Sequence, residues 1–418
     1  MKKTLATTAL TLALAACLSA SAHADTIKIA FIDALSGPMA NVGETTLKNI
    51  QYTVEQINAK GGVLGGKKLE VVPFDTKLSP KEAIIALKQA SDAKIHFMLH
   101  AVSSSVGSAL LESVNRQNER TPDNRMLYLN YGSVDTSFTT SKCSFWFFRF
   151  AANSDMKTEA LVNELAANRS IKKLFLIAQD FPAAHDAIEL TLALLKKKRP
   201  DIEIAGTEFH PMGRVKDFTP YAGKIKASNA DTVIAASYGN DLTLLIRAGR
   251  EIGLQANIYT FYANGLGAPG AIGEAGVGKV KLITEWHNNA VQSEAMDRFY
   301  NGFKRKHPDQ KDEFVSYPGK LAVEMLAQAF EKAKSTDPMQ VALALEGMKH
   351  AAETGEVAMR RDDHQISLPL FIATLEKKGS PGVARDLDGS GFGFKNNVRM
   401  DAMTTALPVN CRMARPEK

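Results

Sequence analysis

The stretch TIKIAFIDALSGPMANVGETTLKNIQYTVEQINAKGGVLGGKKLEVVPF, Thr26–Phe74, decides the fold. It opens on an apolar, β-rich run, TIKIAFI (Thr26–Ile32). A loop at Ser36-Gly37-Pro38 follows, and then Leu47, Ile50, Val54 and Ile57 recur at spacings of three and four, the mark of one helical face. Gly61-Gly62 ends that helix, and KLEVVPF (Lys68–Phe74) is a second strand. A strand, a helix and a strand of these lengths make a right-handed parallel unit.

The same beat continues outward. Ser79-Pro80-Lys81-Glu82 reads as a capping box with proline at the first helical position, opening a helix to about Asp92. IHFML (Ile95–Leu99) and MLYLN (Met126–Asn130) are strands flanking a helix near Val106–Arg116. From about residue 150 the alternation restarts. Strands are expected at KLFLIA (Lys173–Ala178), DIEIAG (Asp201–Gly206), DTVIAA (Asp231–Ala236), NIYTFY (Asn257–Tyr262) and KVKLITEW (Lys279–Trp286). Helices are expected at about 156–168, 184–198, 218–228, 242–253, 292–306, 318–334 and 339–348. Two such runs predict an α/β protein of two doubly wound, parallel-sheet lobes. The β-rich end, Gly355–Lys377, must join one of them.

Composition agrees with two lobes. The chain has 418 residues, 45% apolar and 23% charged, enough apolar content for large cores and too long for one typical domain. The net charge is +6; setting aside Lys2 and Lys3 leaves 49 basic and 45 acidic residues, or +4. No basic face is clustered in the sequence, so nucleic acid is not expected as a partner. Residues 1–24, MKKTLATTALTLALAACLSASAHA, read as a secretory signal peptide cut after Ala24, and the protein is expected in the periplasm. Leu14-Ala15-Ala16-Cys17 also matches the pattern for cleavage before a lipidated cysteine, so an anchor at Cys17 stays open. Cys143 and Cys411 remain. In an oxidising compartment a disulfide between them is the economical reading, with two separate buried thiols as the alternative.

Ligands of open parallel sheets sit beyond the C-terminal strand ends, beside helix N-termini. There the sequence places His100–Val106, with Ser103, Ser104 and Ser105; Tyr131-Gly132-Ser133-Val134-Asp135; Ser237-Tyr238-Gly239-Asn240-Asp241; and Ala263-Asn264-Gly265. Hydroxyls and free N–H groups at a helix start make an anion site. Taken singly, a serine there is more often only a cap; the set of four loops carries the signal.

The stretches IKIAFIDALSGPMANVGE, VEQINAKGGVLGGKKLEVVPFDTKLSPKEA, AVSSSVGSALL and LLIRAGREIGL resemble the type I periplasmic solute-binding proteins of ABC importers, in the leucine/isoleucine/valine-binding branch. The resemblance covers about 26–330 well and the tail more loosely. It implies a three-segment hinge, one lobe at 25–148 plus 284–354, the other at 149–283 plus 355–418, and a ligand buried by closure of the cleft. It further implies a monomer that docks on permease subunits, with no cofactor and no metal.

In that family the ligand carboxylate is held by the serine-rich loop and by a loop ending in Thr or Ser, which match Ser103, with Ser104, and Ser133. A second-lobe tyrosine matches Tyr238. Three positions depart. Val42 replaces a tyrosine, another tyrosine falls near Pro182–Ala183 with Phe181 beside it, and the glutamate that pairs with the ligand ammonium falls near Tyr262–Asn264, where no acid stands. A buried ammonium without a carboxylate is costly. The expected ligand is therefore a small carboxylate without an α-amino group: an aromatic, keto or hydroxy acid. Tyr131, Phe181, Tyr238, Tyr262 and Trp286 supply apolar walls on this reading, with Asn264 at the lost glutamate. The competing reading keeps an amino acid, with Asp241 or another acid moving in.

Other motifs carry less. Gly273–Lys279 has the glycine and lysine spacing of a phosphate loop, but Val280 stands where the magnesium hydroxyl belongs. Asp386–Phe392 resembles the start of a calcium loop whose final glutamate is replaced by Asn397. No nucleophile elbow, zinc pair or protease signature is present, so catalysis is not expected. A sensory receptor or an exported enzyme on the same fold are the remaining alternatives.

Overall fold

The computed structural model describes residues 26–180, 182–265, 267–312 and 315–416. The expected leader, Cys17 and Phe181 lie outside them. Strand β1 (Ile27–Asp33), helix α1 (Ala40–Ala59) and strand β2 (Leu69–Asp75) form the unit expected from the opening stretch. In β1 only Lys28 is exposed, as a strand covered on both faces requires. Helix α2 (Pro80–Asp92), β3 (Phe97–His100), α3 (Ser104–Arg120), β4 (Leu127–Asn130) and β5 (Phe147–Arg149) complete a first sheet, ordered β2-β1-β3-β4-β5 with every pair parallel. The α2 start is only half a capping box. Ser79 accepts from the Glu82 N–H, but Glu82 turns to Lys77 at 3.5 Å, and the Ser79 N–H goes to the Thr76 carbonyl.

The second sheet draws on α4 (Ser154–Ala167), β6 (Lys173–Gln179), α5 (Pro182–Lys198), β7 (Glu203–His210), α6 (Thr219–Ala227), β8 (Thr232–Ala236), α7 (Asn240–Glu251), β9 (Asn257–Thr260), α8 (Ala268–Ile272) and β10 (Val280–Thr284). The chain then forms α9 (Glu294–Lys306), α10 (Ser316–Ala333) and α11 (Pro338–Leu345). A small antiparallel sheet of β11 (Lys349–Ala352), β12 (Gly355–Met359) and β13 (Ile366–Ser367) follows, and β14 (Leu370–Lys377) and β15 (Phe392–Met400) close the chain's regular structure. The second sheet runs β15-β14-β10-β9-β8-β6-β7, parallel from β7 to β10 and antiparallel at β14 and β15. The β-rich end thus extends the second sheet. Helix α10 packs on α1 and α11, on the side of the first sheet.

Up to β15 the chain passes between the sheets three times: after β5, after β10, and between β13 and β14. The first and third passages lie side by side, where the Arg149 N–H donates to the His364 carbonyl at 2.9 Å and His364 stacks on Phe148. The boundary expected at 354/355 falls in the turn of the β11–β12 hairpin, whose strands are bonded to each other, and the second sheet is entered only at β14.

Cys143 and Cys411 are bonded, with Cα atoms 5.9 Å apart and a sequence separation of 268. The chain after β15 was expected to stay with the second lobe. Instead it returns to the first: the Leu407 carbonyl accepts from Arg360, Cys411 reaches Cys143 beside β5, and Arg415 pairs with Glu346 at 2.6 Å. The pairing is a covalent anchor for a segment without regular structure. Replacing both cysteines by alanine should cost about 2–4 kcal/mol, read as a lower urea midpoint with the circular dichroism spectrum retained. An unchanged midpoint would mean that the tail holds without its anchor.

Candidate functional site

The strand orders fix where the loops part. In the first sheet the connections reverse between β1 and β3, and in the second between β6 and β8. A crevice opens at each such point, beyond the C-terminal strand ends. Ser103 sits at the first and Tyr238 at the second.

At the first point Asp33 ends β1 fully buried. One of its oxygens accepts the Ala34 N–H at 2.9 Å and the Val102 N–H at 3.2 Å. The other accepts the Ala101 N–H at 2.9 Å and the Tyr131 hydroxyl at 2.6 Å. One carboxylate thus ties the loops after β1, β3 and β4, and oriented donors stand in for the water it has lost. Asp75 does the same for the Ser36-Gly37-Pro38 loop, accepting from the Leu35, Ser36 and Lys77 N–H groups and from Ser36 Oγ at 2.6 Å. Burial opposes its charge, but these hydrogen bonds outweigh it and hold the carboxyl below the usual range.

Ser103 follows with φ of 80°, a left-handed backbone that non-glycine residues rarely adopt and that clusters at functional sites. Its Oγ caps α3 through the Val106 N–H at 3.4 Å and touches Ser105 Oγ at 2.9 Å, and Ser104 is the first residue of the helix. Ser133 is buried behind this loop and donates its hydroxyl to the Ala101 carbonyl at 2.7 Å. Tyr131 corrects the sequence expectation: its ring is wholly buried near Phe31 and its hydroxyl is given to Asp33, so it is not an open wall.

The second lobe repeats the device. Asp241, in the first turn of α7, is buried and accepts from Gln179 Nε2 and from the Gly213 N–H, both at 2.8 Å, with His210 beside it at 3.8 Å. Burial, partly offset by Asp241, lowers the His210 pKa. Gln179 also brackets Tyr238, accepting from its N–H and donating to its carbonyl. Gly239, at φ of 64°, makes the turn into α7. Tyr238 itself is exposed, with its hydroxyl 3.2 Å from Met212 Sδ and its ring edge-on to Tyr262 at 5.8 Å. Burial and the Asp241 charge raise its pKa, which keeps the phenol a neutral donor.

Tyr262 lies past the end of β9, not within the strand, and Lys157 Nζ stands 6.0 Å from its ring centroid. Lys157 is paired with Glu285 at 2.8 Å, both side chains nearly wholly buried. Asn264 is buried and donates to Thr284 Oγ1 and to the Trp286 carbonyl. Trp286 stacks on Tyr317 at 4.5 Å and is buried, as is Val42. The sequence reading missed Asp33 and the Lys157–Glu285 pair, and it named Asp241 only as a substitute ligand acid. The signal for Asp33 was present, an acid closing an apolar strand; nothing local marks Lys157 as the partner of Glu285. Asp386 likewise belongs to a turn, its carboxylate taken by Lys378 and the Gly391 N–H at 2.8 and 2.9 Å.

A family model described as periplasmic binding protein matches residues 26–380. The chain belongs to that family. Among its relatives, the Leu/Ile/Val-binding protein homolog 4 of Brucella abortus (strain 2308) is 28% identical over 406 residues, covering 95% of either chain. The leucine-, isoleucine-, valine-, threonine- and alanine-binding protein of Brucella ovis, solved in a closed conformation, superposes with a TM-score of 0.83 at 27% identity, over 94% of this chain and 100% of that one. A solute-binding protein of an ABC transporter from Rhodopseudomonas palustris HaA2, solved with p-hydroxybenzoic acid, shares the fold at 18% identity and a TM-score of 0.74, over 90% of this chain and 98% of that one. The binding protein is thus of type I, in the Leu/Ile/Val branch of ABC-transporter substrate-binding proteins. Among the described residues no helix is long and apolar enough to cross a membrane.

Two tests probe this frame. Asp33→Ala strands three N–H groups and a tyrosine hydroxyl, and should lower stability by at least about 3 kcal/mol in urea titration; a smaller loss would show that the three loops hold without it. Burial also pushes the pKa of His287, just past β10, down to about 3. Between that value and about 6.5 the unfolded chain takes a proton that the folded one refuses. Stability should therefore fall as pH drops through this window, by about 1.4 kcal/mol per unit. His287→Phe should flatten the slope.

Proposed function

We propose that the binding protein is the periplasmic receptor of an ABC importer, and that it captures a small carboxylate lacking an α-amino group. The observation that carries this reading is the state of the acids. On the described strand-end loops Asp33, Asp75, Asp135, Asp241 and Glu285 are committed to N–H groups, to hydroxyls, to Gln179 or to Lys157. None of them is left to receive a ligand ammonium, whereas Ser103, Ser104 and the start of α3 offer hydroxyls and N–H groups to a carboxylate. Asp241, the acid best placed to replace the absent glutamate, is spent on holding the second rim.

In this reading Ser103, Ser104 and the Ser133-anchored loop receive the carboxylate, and Tyr238, Tyr262, Phe181 and Asn264 close over it from the second lobe. The ligand bridges both rims and favours the closed state, which the permease subunits then read. On this reading the lobes are 26–149 with 285–368, and 150–284 with 369–400, and the exported chain acts alone, as a monomer without catalysis. One observation favours an α-amino acid instead: Asp180, beside Phe181, is exposed, with His185 at 2.8 Å sharing its carboxylate. The relatives named for leucine, isoleucine and valine point the same way.

A thermal-shift screen separates the two. One panel holds branched-chain and other α-amino acids; the other holds aromatic, keto and hydroxy acids. A ligand at 100 times its Kd adds about 2.7 kcal/mol of stability. Shifts confined to the amine-free panel are expected, and Ser103→Ala should weaken the best of them by about 1–3 kcal/mol, with Tyr238→Ala also weakening it. Shifts confined to the amino acids would sink the reading and direct attention to Asp180.

A further inference from the structure

Behind the second rim lies a cavity of about 60 Å³ between α1, α9, α10 and the segments that follow β9 and β10. Four of its lining side chains carry a polar atom with no partner among the described residues: Asn49 Oδ1, Asn264 Oδ1, His287 Nε2 and Ser316 Oγ. All four are at least nine-tenths buried, at 8%, 1%, 1% and 9% exposure. Buried polar atoms left unpaired are destabilising, and four around one space amount to a built site rather than a packing defect. Two of the charged groups of the wall are already spent, Lys320 on Glu324 and Glu353 and Asp312 on Lys304, and Lys311 is the third charged residue of the lining.

The chemistry of the four atoms narrows what they can hold. The Asn289 N–H donates to His287 Nδ1 at 3.3 Å, so the proton of the neutral ring sits on Nε2, which is a donor. The Asn264 amide donates twice within the protein, which leaves its oxygen as an acceptor. The set is thus two amide acceptors, one imidazole donor and one hydroxyl. A carboxylate would face two acceptor oxygens, and an ammonium would face the imidazole N–H. An uncharged group that both donates and accepts satisfies the set. The volume is well below the roughly 150 Å³ that takes a benzene ring, so it receives the end of a ligand, not the whole.

We propose that this cavity is a subsite for a hydroxyl group of the ligand, and that the ligand is a hydroxy acid whose hydroxyl lies remote from its carboxylate. The proposal rests on the carboxylate reading above and sharpens it. Asn264 lines the cavity and stands two positions after Tyr262, whose ring meets Tyr238 at the rim, so this loop reaches both the cavity and the rim. Asn49 and Ser316 come from α1 and α10, which pack together, whereas Asn264 and His287 follow strands of the second sheet. A hydroxyl held among them bonds to both lobes at once and so contributes to closure.

The test is calorimetric titration of the full chain with benzoate and 4-hydroxybenzoate, hexanoate and 6-hydroxyhexanoate, and leucine. In at least one pair the hydroxylated acid should bind about 10-fold tighter or better. Ser316→Ala should reduce that ratio to about 3-fold or less, and because this hydroxyl has no partner among the described residues, the ligand-free melting temperature should stay level or rise. Asn49→Leu is the second variant, should the first fold poorly. Parity within both pairs overturns the subsite and leaves the carboxylate reading standing. Binding of leucine with none of the acids overturns both. A full ratio retained in both variants places the hydroxyl elsewhere and overturns the assignment, as does failure of every acid to bind.

Discussion

Asp33 lies fully buried, and N–H and hydroxyl groups are what meet its carboxylate. Its carboxylate is stable there because three different loops turn donors onto it: its own, the serine-rich one through Ala101 and Val102, and the one after β4 through Tyr131. The dependence is mutual. The loops need an acceptor for N–H groups that no strand pairs, and the acid needs those N–H groups. Ser103 can keep its left-handed backbone because the two residues before it are fixed in this way. The serine-rich face of the first lobe is thus set up by a buried acid behind it.

The second lobe solves the same problem with different parts. Asp241 comes from a helix start rather than a strand end, and it gathers Gln179 and Gly213 instead of a tyrosine. Two unrelated buried acids doing one job explain why the rims can be rigid while the passages between the sheets stay slender. They also motivate the ligand proposal: acids that serve as structural acceptors are withdrawn from recognition.

Much of this was legible in the chain. The period of Leu47, Ile50, Val54 and Ile57, the apolar strands and the glycine pair at 61–62 are local signals, and such signals placed most elements of both sheets, though not β5 or β15. The serine loop and Tyr238 came from the rule that strand ends carry function. What stayed hidden was long-range. Tyr131 read as an open wall because sequence cannot show that a residue 98 positions earlier takes its hydroxyl. The pairing of Lys157 with Glu285 spans the two parts of the chain that β10 brings together. Asn49, His287 and Ser316 have nothing in common until α1, α10 and the passage after β10 surround one space. The return of the tail was equally invisible, since β15 belongs to one sheet and Cys411 to the neighbourhood of the other.

That returning tail changes the connectivity of the molecule. From Cys143 the backbone runs through the first passage, the whole second sheet, the helices of the first lobe and back to Cys411, where the bond closes it into a covalent ring. Both lobes are threaded on that ring. A single peptide-bond cut anywhere from 144 to 410 leaves every fragment attached to the rest. A nick in an exposed loop is then a scar and not a dissociation.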